Sequence, residues 1–238
     1  FKKSFLTVIT TESEDAAFDI FDSLNTTGLP LTAMETLQPA VVRRYKNSPA
    51  QLKKYTESFE RIDGYITSER SETSTQHKES KYIVSQSALL LNGEKLSVNL
   101  NSQRRYLRES FQNQITGEES LIDALEDVAE FRNTFFRPST IGSLNSVLSS
   151  LGSDKIEEIQ LFCAFFHMSN TQLHNPILAA FWRMKDYEVF YKAIKSFIAF
   201  FILKRSTTIG TAGIDSILRK LMSGDTKLGI TGLNLKSG

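Results

Sequence analysis

Apolar residues recur every third or fourth position along most of this chain, the spacing of an amphipathic helix rather than the alternation of a strand. The clearest stripe is Leu52, Tyr55, Phe59, Ile62 and Ile66. It stands behind Ser48-Pro49-Ala50-Gln51, a capping box with proline at the first helical position, where its missing N–H costs nothing. Nearer the start, Ala17, Ile20, Phe21 and Leu24 share a face behind Ser13, with Glu14 and Asp15 in the positive first turn. Asn25 to Pro30 ends that helix, and Thr32-x-x-Glu35 opens the next with a second capping box. Pro39 falls inside it and predicts a kink or a restart near Gln38.

Phe5 to Thr10, FLTVIT, reads as a strand of a sheet whose other strands would lie upstream. Thr67 to Ser80 is polar and without period, and is expected to form a mobile surface loop at a subdomain boundary. Beyond it the pattern predicts helices over 81–91, 102–115, 119–136, 143–151, 154–168, 176–184, 187–205 and 212–222. Asn92-Gly93 and Ser223-Gly224 are stop signals, and Asn175-Pro176 is a start. The expected class is mainly α (α+β), with one N-terminal strand and a multi-helix region over residues 48–222, then a tail at 223–238. No repeat of fixed period supports a solenoid.

Composition sharpens this only in places. Seventeen phenylalanines against one tryptophan and five prolines imply a core of flat rings on continuous elements. A formal charge of +1, from 28 basic and 27 acidic residues, gives no field over the whole surface that would attract a polyanion, so any nucleic-acid contact must be local. One cysteine excludes an internal disulfide framework, and without a secretory pattern at Phe1 a reducing cytoplasm is expected. The run FIAFFIL at Phe197 to Leu203 is far short of the ~20 residues of a membrane span, so no membrane partner is expected. With Phe at its first position and LNLKSG at its end, the chain reads as a piece of a longer one.

The common catalytic motifs are absent: no phosphate-binding GxxxxGK, GxSxG elbow, HExxH pair, CxxC pair or dinucleotide GxGxxG occurs. Cys163 and His167, four apart on one helix, and His174 could approach a metal, but LFCAFFHM is core-like and a thiol there acts as a small apolar group. No metal site is therefore expected. Basic residues form three clusters: Arg43, Arg44 and Lys46; Arg104, Arg105 and Arg108; Lys204 and Arg205. Cations near a helix C-terminus answer the dipole, which suffices for Arg43 and Arg44. Arg104, Arg105 and Arg108 lie near a helix start, where the dipole disfavours them, and are the candidates for nucleic-acid contact. In LNTTG, Asn25 and Gly28 accept left-handed backbone, so the bend can turn its amides inward as an anion nest, with Thr26 and Thr27 adding hydroxyls. The plainer alternative is a helix-to-helix turn.

The run AFDIFDSLNTTGLPLTAMETLQP resembles a segment of GmrSD-type, modification-dependent restriction enzymes, matching at Ala17, Ile20, Phe21, Leu24, Asn25, Gly28, Pro30, Leu31, Thr32 and Glu35. The resemblance is carried by Phe5 to Tyr45 and extends more weakly to Met222. It implies the C-terminal part of a ParB-like or sulfiredoxin-like nucleotide-binding domain over residues 1–47, joined to the helical region, in a protein of bacterial defence against phage DNA. It also implies a nucleoside triphosphate held with Mg at Asn25, Thr26, Thr27 and Gly28, regulating cleavage by a nuclease domain. Three departures limit it. The family's Asp-Gly-Gln-Gln-Arg motif would precede Phe1, no HNH-like constellation occurs before Gly238, and Thr27 stands where many members have Arg. Weak or no hydrolysis by this chain alone is expected. The alternative is a non-catalytic helical scaffold for DNA or a partner protein, and self-association stays open.

Overall fold

The computed structural model describes residues 10–11, 31–67, 73–93, 95–113, 121–135, 144–168 and 175–207. It divides the chain into two compact units, Phe1–Thr32 and Ala33–Gly238. Of the first unit only Thr10, Thr11, Leu31 and Thr32 are described, and none lies in a regular element. All of the expected strand at Phe5 to Thr10 except Thr10, the helix from Ser13 to Leu24 and the bend at Asn25 to Gly28 thus fall outside the described residues, as does the helix expected over 212–222.

Every regular element among the described residues is a helix, as the apolar spacing predicts. Helix α1 (Ala33–Tyr45) buries Ala33, Met34, Leu37 and Val41. It runs through Pro39 without the expected restart. Pro39 and Ala40 are exposed, so the pyrrolidine ring stands outside the packed apolar stripe. Helix α2 (Pro49–Thr67) starts at the expected cap: the Ser48 carbonyl accepts the Leu52 N–H at 2.9 Å. Its buried face is Tyr55, Ser58, Phe59, Ile62 and Ile66.

Helix α3 (Thr73–Asn92) corrects the loop expected over residues 67–80, because its first turns come from that polar stretch. The polarity has a tertiary use. Ser80 is buried, and Glu79 receives two hydrogen bonds from Arg132, at 2.5 and 2.9 Å. Further along, the buried Ser87 hydroxyl donates to the Ile83 carbonyl at 2.8 Å, and the Ala124 carbonyl lies 3.3 Å from it. A side chain this small lets α3 and the helix carrying Ala124 approach closely. The predicted stop holds: Gly93 has φ 69° and its N–H reaches the Leu89 carbonyl at 3.0 Å, a left-handed C-cap.

Helix α4 (Leu100–Asn113) starts two residues before the expected position because Asn99 caps it, its Oδ1 accepting from the Asn101 and Ser102 amides at 3.0 and 3.2 Å. Helix α5 (Leu121–Phe135) packs against α2, α3, α4 and the later helix α8 (Asn175–Trp182). Leu121, Ile122, Leu125, Val128, Phe131 and Phe135 are all buried along it. Between them come a short α6 (Leu144–Val147) and α7 (Ser153–Met168), and α9 (Tyr187–Thr207) ends the described chain. All eight residues of α8 are buried. A cluster of rings joins α5, α8 and α9: Phe135 lies 4.9 Å from Trp182 and 5.1 Å from Phe190, centroid to centroid. That accounts for the excess of phenylalanine.

Helices α7 and α9 run in the same direction. Lys155 pairs with Glu188 at 2.5 Å, the Tyr191 hydroxyl donates to Glu158 at 2.6 Å, and Phe166 meets Phe197 at 5.8 Å and Phe201 at 6.2 Å. No helix among the described residues is long and apolar enough to cross a membrane.

Leu125 is fully buried on α5. Leu125→Ala is expected to lower stability by about 3 kcal/mol, against about 1 kcal/mol for removing the cap with Asn99→Ala, both read from urea midpoints.

Candidate nucleic-acid interface

Much of the basic charge in the helical unit is already paired. On α5, Asp123 meets Lys54 at 2.9 Å, Glu126 is held by the Arg61 guanidinium, Asp127 lies 3.6 Å from Arg183 and Glu130 pairs with Lys185 at 2.7 Å. These cations hold α2 and the α8–α9 turn onto the central helix. What remains to meet a ligand must be sought where cations outnumber carboxylates.

That place is α1 with α4. Residues 33–46 and 100–113 carry six cations and only two carboxylates, Glu35 and Glu109. The two helices pack together, which joins two basic clusters some sixty residues apart in sequence. Arg44 is one of the contacts between them, alongside Tyr45, whose ring lies 6.2 Å from that of Phe111. The Arg44 Nη1 donates to the Phe111 carbonyl, and its guanidinium lies 4.9 Å from the Phe111 ring centroid. Phe111 is in the last turn of α4, whose carbonyls lack helical partners and carry the negative end of the dipole. The dipole explanation expected for Arg44 therefore applies, but to the end of α4 as well as its own helix.

Arg43 and Lys46 are exposed and have no ion-pair partner among the described residues. The expected triad on α4 is divided. Arg104 is only 6% exposed, so it faces the interior and cannot share a surface with the others. Arg105 is exposed and has no ion-pair partner among the described residues, and Arg108 is half-buried. Arg108 lies about 60° around α4 from Phe111, and Arg105 about 60° further out.

Past Arg105 the face opens into a shallow depression of about 430 Å³, lined by Ser102, Arg105, Tyr106, Glu109 and Ser110 among others. The sequence reading missed Ser102 and Ser110, although positions 102, 106 and 110 repeat at helical spacing and were legible as one stripe. A guanidinium with two hydroxyls can donate to a phosphodiester oxygen. With Glu109 across from it, the depression suits a singly charged phosphodiester better than a polyphosphate.

Charge along α1 is polarised. At its other end Glu35 stands near Asp63 of α2, whose carboxyl is raised above the usual range by loss of solvent and then by the Glu35 charge. The third cluster, Lys204 and Arg205, sits in the last turn of α9, where the dipole favours it.

The remaining chemistry is sparse. Cys163 is buried and its thiol is pushed up to about 12 by desolvation, so it stays neutral. No group of carboxylates, histidines and cysteines that could hold a metal occurs among the described residues, and His174 lies outside them. The expected nucleotide residues Asn25, Thr26, Thr27 and Gly28 also lie outside the described residues. Neither a family model nor a curated protein matches the chain.

Arg44→Ala should destabilise the fold by about 1–2 kcal/mol because it removes a charged cap from α4, whereas Arg43→Ala should change stability by less than about 0.5 kcal/mol. Equal urea midpoints for the two variants would contradict this division of labour.

Proposed function

We propose that the helical unit is a non-catalytic binding module that meets the phosphate backbone of nucleic acid through Arg43 on α1, Lys46 just after it, and Arg105 and Arg108 on α4. The observation that supports this reading is that the two helices carrying these basic clusters pack together, with Arg44 bonded to the end of α4, on a chain whose total charge is close to zero. Uniform contact with phosphates needs cations on one accessible side and no particular acid, base or metal. The resemblance to GmrSD-type restriction enzymes is consistent with DNA as the polymer. In that setting the module would present DNA to a nuclease domain, in a bacterial defence protein.

The test is binding of a 20-base-pair duplex by fluorescence anisotropy across a salt series. Changing Arg43, Lys46 and Arg105 together to alanine should weaken binding about tenfold or more and make the log–log salt slope shallower by roughly 2 to 3. Unchanged affinity and slope in that variant would refute the assignment of this surface.

A second reading, nucleoside triphosphate with Mg at Asn25 to Gly28, is favoured by the residue types of LNTTG together with the resemblance. A ligand that binds the folded state raises the melting temperature. A rise with ATP or GTP that Gly28→Val abolishes is expected under this reading, and no rise with either nucleotide would count against it.

A further inference from the structure

One residue of α4 does not suit contact with phosphates alone. Glu109 lies one turn after Arg105 and directly follows Arg108, is exposed, and has no ion-pair partner among the described residues. A carboxylate among arginines is ordinarily there to pair with them, and this one does not. It repels phosphates, so on a surface that meets only the backbone it lowers affinity.

The face around it has a particular chemistry. Arg105, Glu109, Gln112 and Asn113 are exposed and fall within about 100° of one another around α4. None of the four makes a side-chain hydrogen bond or ion pair among the described residues, and α4 contains no lysine. Each ends in a planar group with two or more hydrogen-bonding atoms: a guanidinium, a carboxylate or an amide. Such groups match base edges in a major groove, where an amide pairs bidentately with adenine and a carboxylate accepts from the amino group of cytosine.

The dimensions agree. From Arg105 to Asn113 is about 12 Å along the helix axis, close to the ~12 Å width of a B-form major groove. Arg43 and Lys46 lie one and two residues from Arg44, which is bonded to the Phe111 carbonyl in the last turn of α4, so they stand near its C-terminal end. Cations therefore come before and after the row of Glu109, Gln112 and Asn113. We infer that α4 is a recognition helix for B-form DNA, in which Arg105 at one end and Arg43 and Lys46 at the other hold phosphates while Glu109, Gln112 and Asn113 read base edges between them. This rests on the nucleic-acid reading above and adds sequence preference to it. Glu109 weakens backbone contact and supplies discrimination by accepting from a base amino group. An A-form RNA duplex is a poorer occupant, because side chains cannot read its deep, narrow major groove.

Selection from 20-base-pair DNA duplexes with a randomised centre tests this on the full chain. The wild type should enrich a short consensus bound about a hundredfold or more tighter than the unselected pool. Changing Glu109, Gln112 and Asn113 together to alanine should cost the consensus about tenfold or more, while affinity for the unselected pool holds or rises by about twofold as a negative charge leaves. Glu109→Gln alone should relax the preference at one position of the consensus, and an RNA duplex of the consensus sequence should bind no better than the pool. Salt-dependent binding of the pool with no enriched consensus would overturn the recognition role and leave the backbone reading standing. A consensus that the triple variant still prefers, or a variant whose affinities for pool and consensus fall equally, would overturn it too. No binding of the pool at any salt would instead refute the backbone reading, and this one with it.

Discussion

The helical unit depends on α5 satisfying both halves of its composition at once. Its apolar residues are buried against four neighbouring helices, and its four carboxylates, Asp123, Glu126, Asp127 and Glu130, each find a cation on an adjacent element. Burial supplies most of the stabilisation. Exposed pairs contribute up to about 1 kcal/mol each, so their larger effect is to choose which neighbour lies on which side. The Arg132–Glu79 pair differs because Arg132 is only 6% exposed. It is held by two hydrogen bonds and lies 5.2 Å from the Tyr82 ring centroid, so losing Glu79 would strand a charge in the interior.

That constraint also distributes the basic residues. Cations opposite α5 are committed to holding the fold, and Arg44 is committed to the end of α4. Arg43, Lys46 and Arg105 are left exposed on or next to α1 and α4, two helices that pack together. The same accounting removes Arg104 from the candidate surface. A sequence read as a line places Arg104 and Arg105 together, whereas neighbouring positions on a helix point about 100° apart.

Most of the helical architecture was legible beforehand. The stripe on α2, the cap at Ser48, the stop at Gly93 and the start at Asn175 are local signals, and each depends on backbone chemistry within a few residues. Where the reading failed, a distant partner decided. The polar stretch before Lys81 folds into α3 because Arg132 and the packing around Ser80 give its polar groups a buried use. At Pro39, where a kink or a restart was expected, α1 continues without a restart.

The sequence by itself determined that this region is a set of amphipathic helices, because periodicity, caps and glycine stops act over one or two turns. It also determined that no familiar catalytic motif is present, and it marked the basic clusters. Only the tertiary structure decided which cations are paired and that α1 and α4, which carry the clusters near residues 44 and 108, pack together. That outcome depends on which helices pack together, and pairing between residues far apart in the chain leaves no local trace.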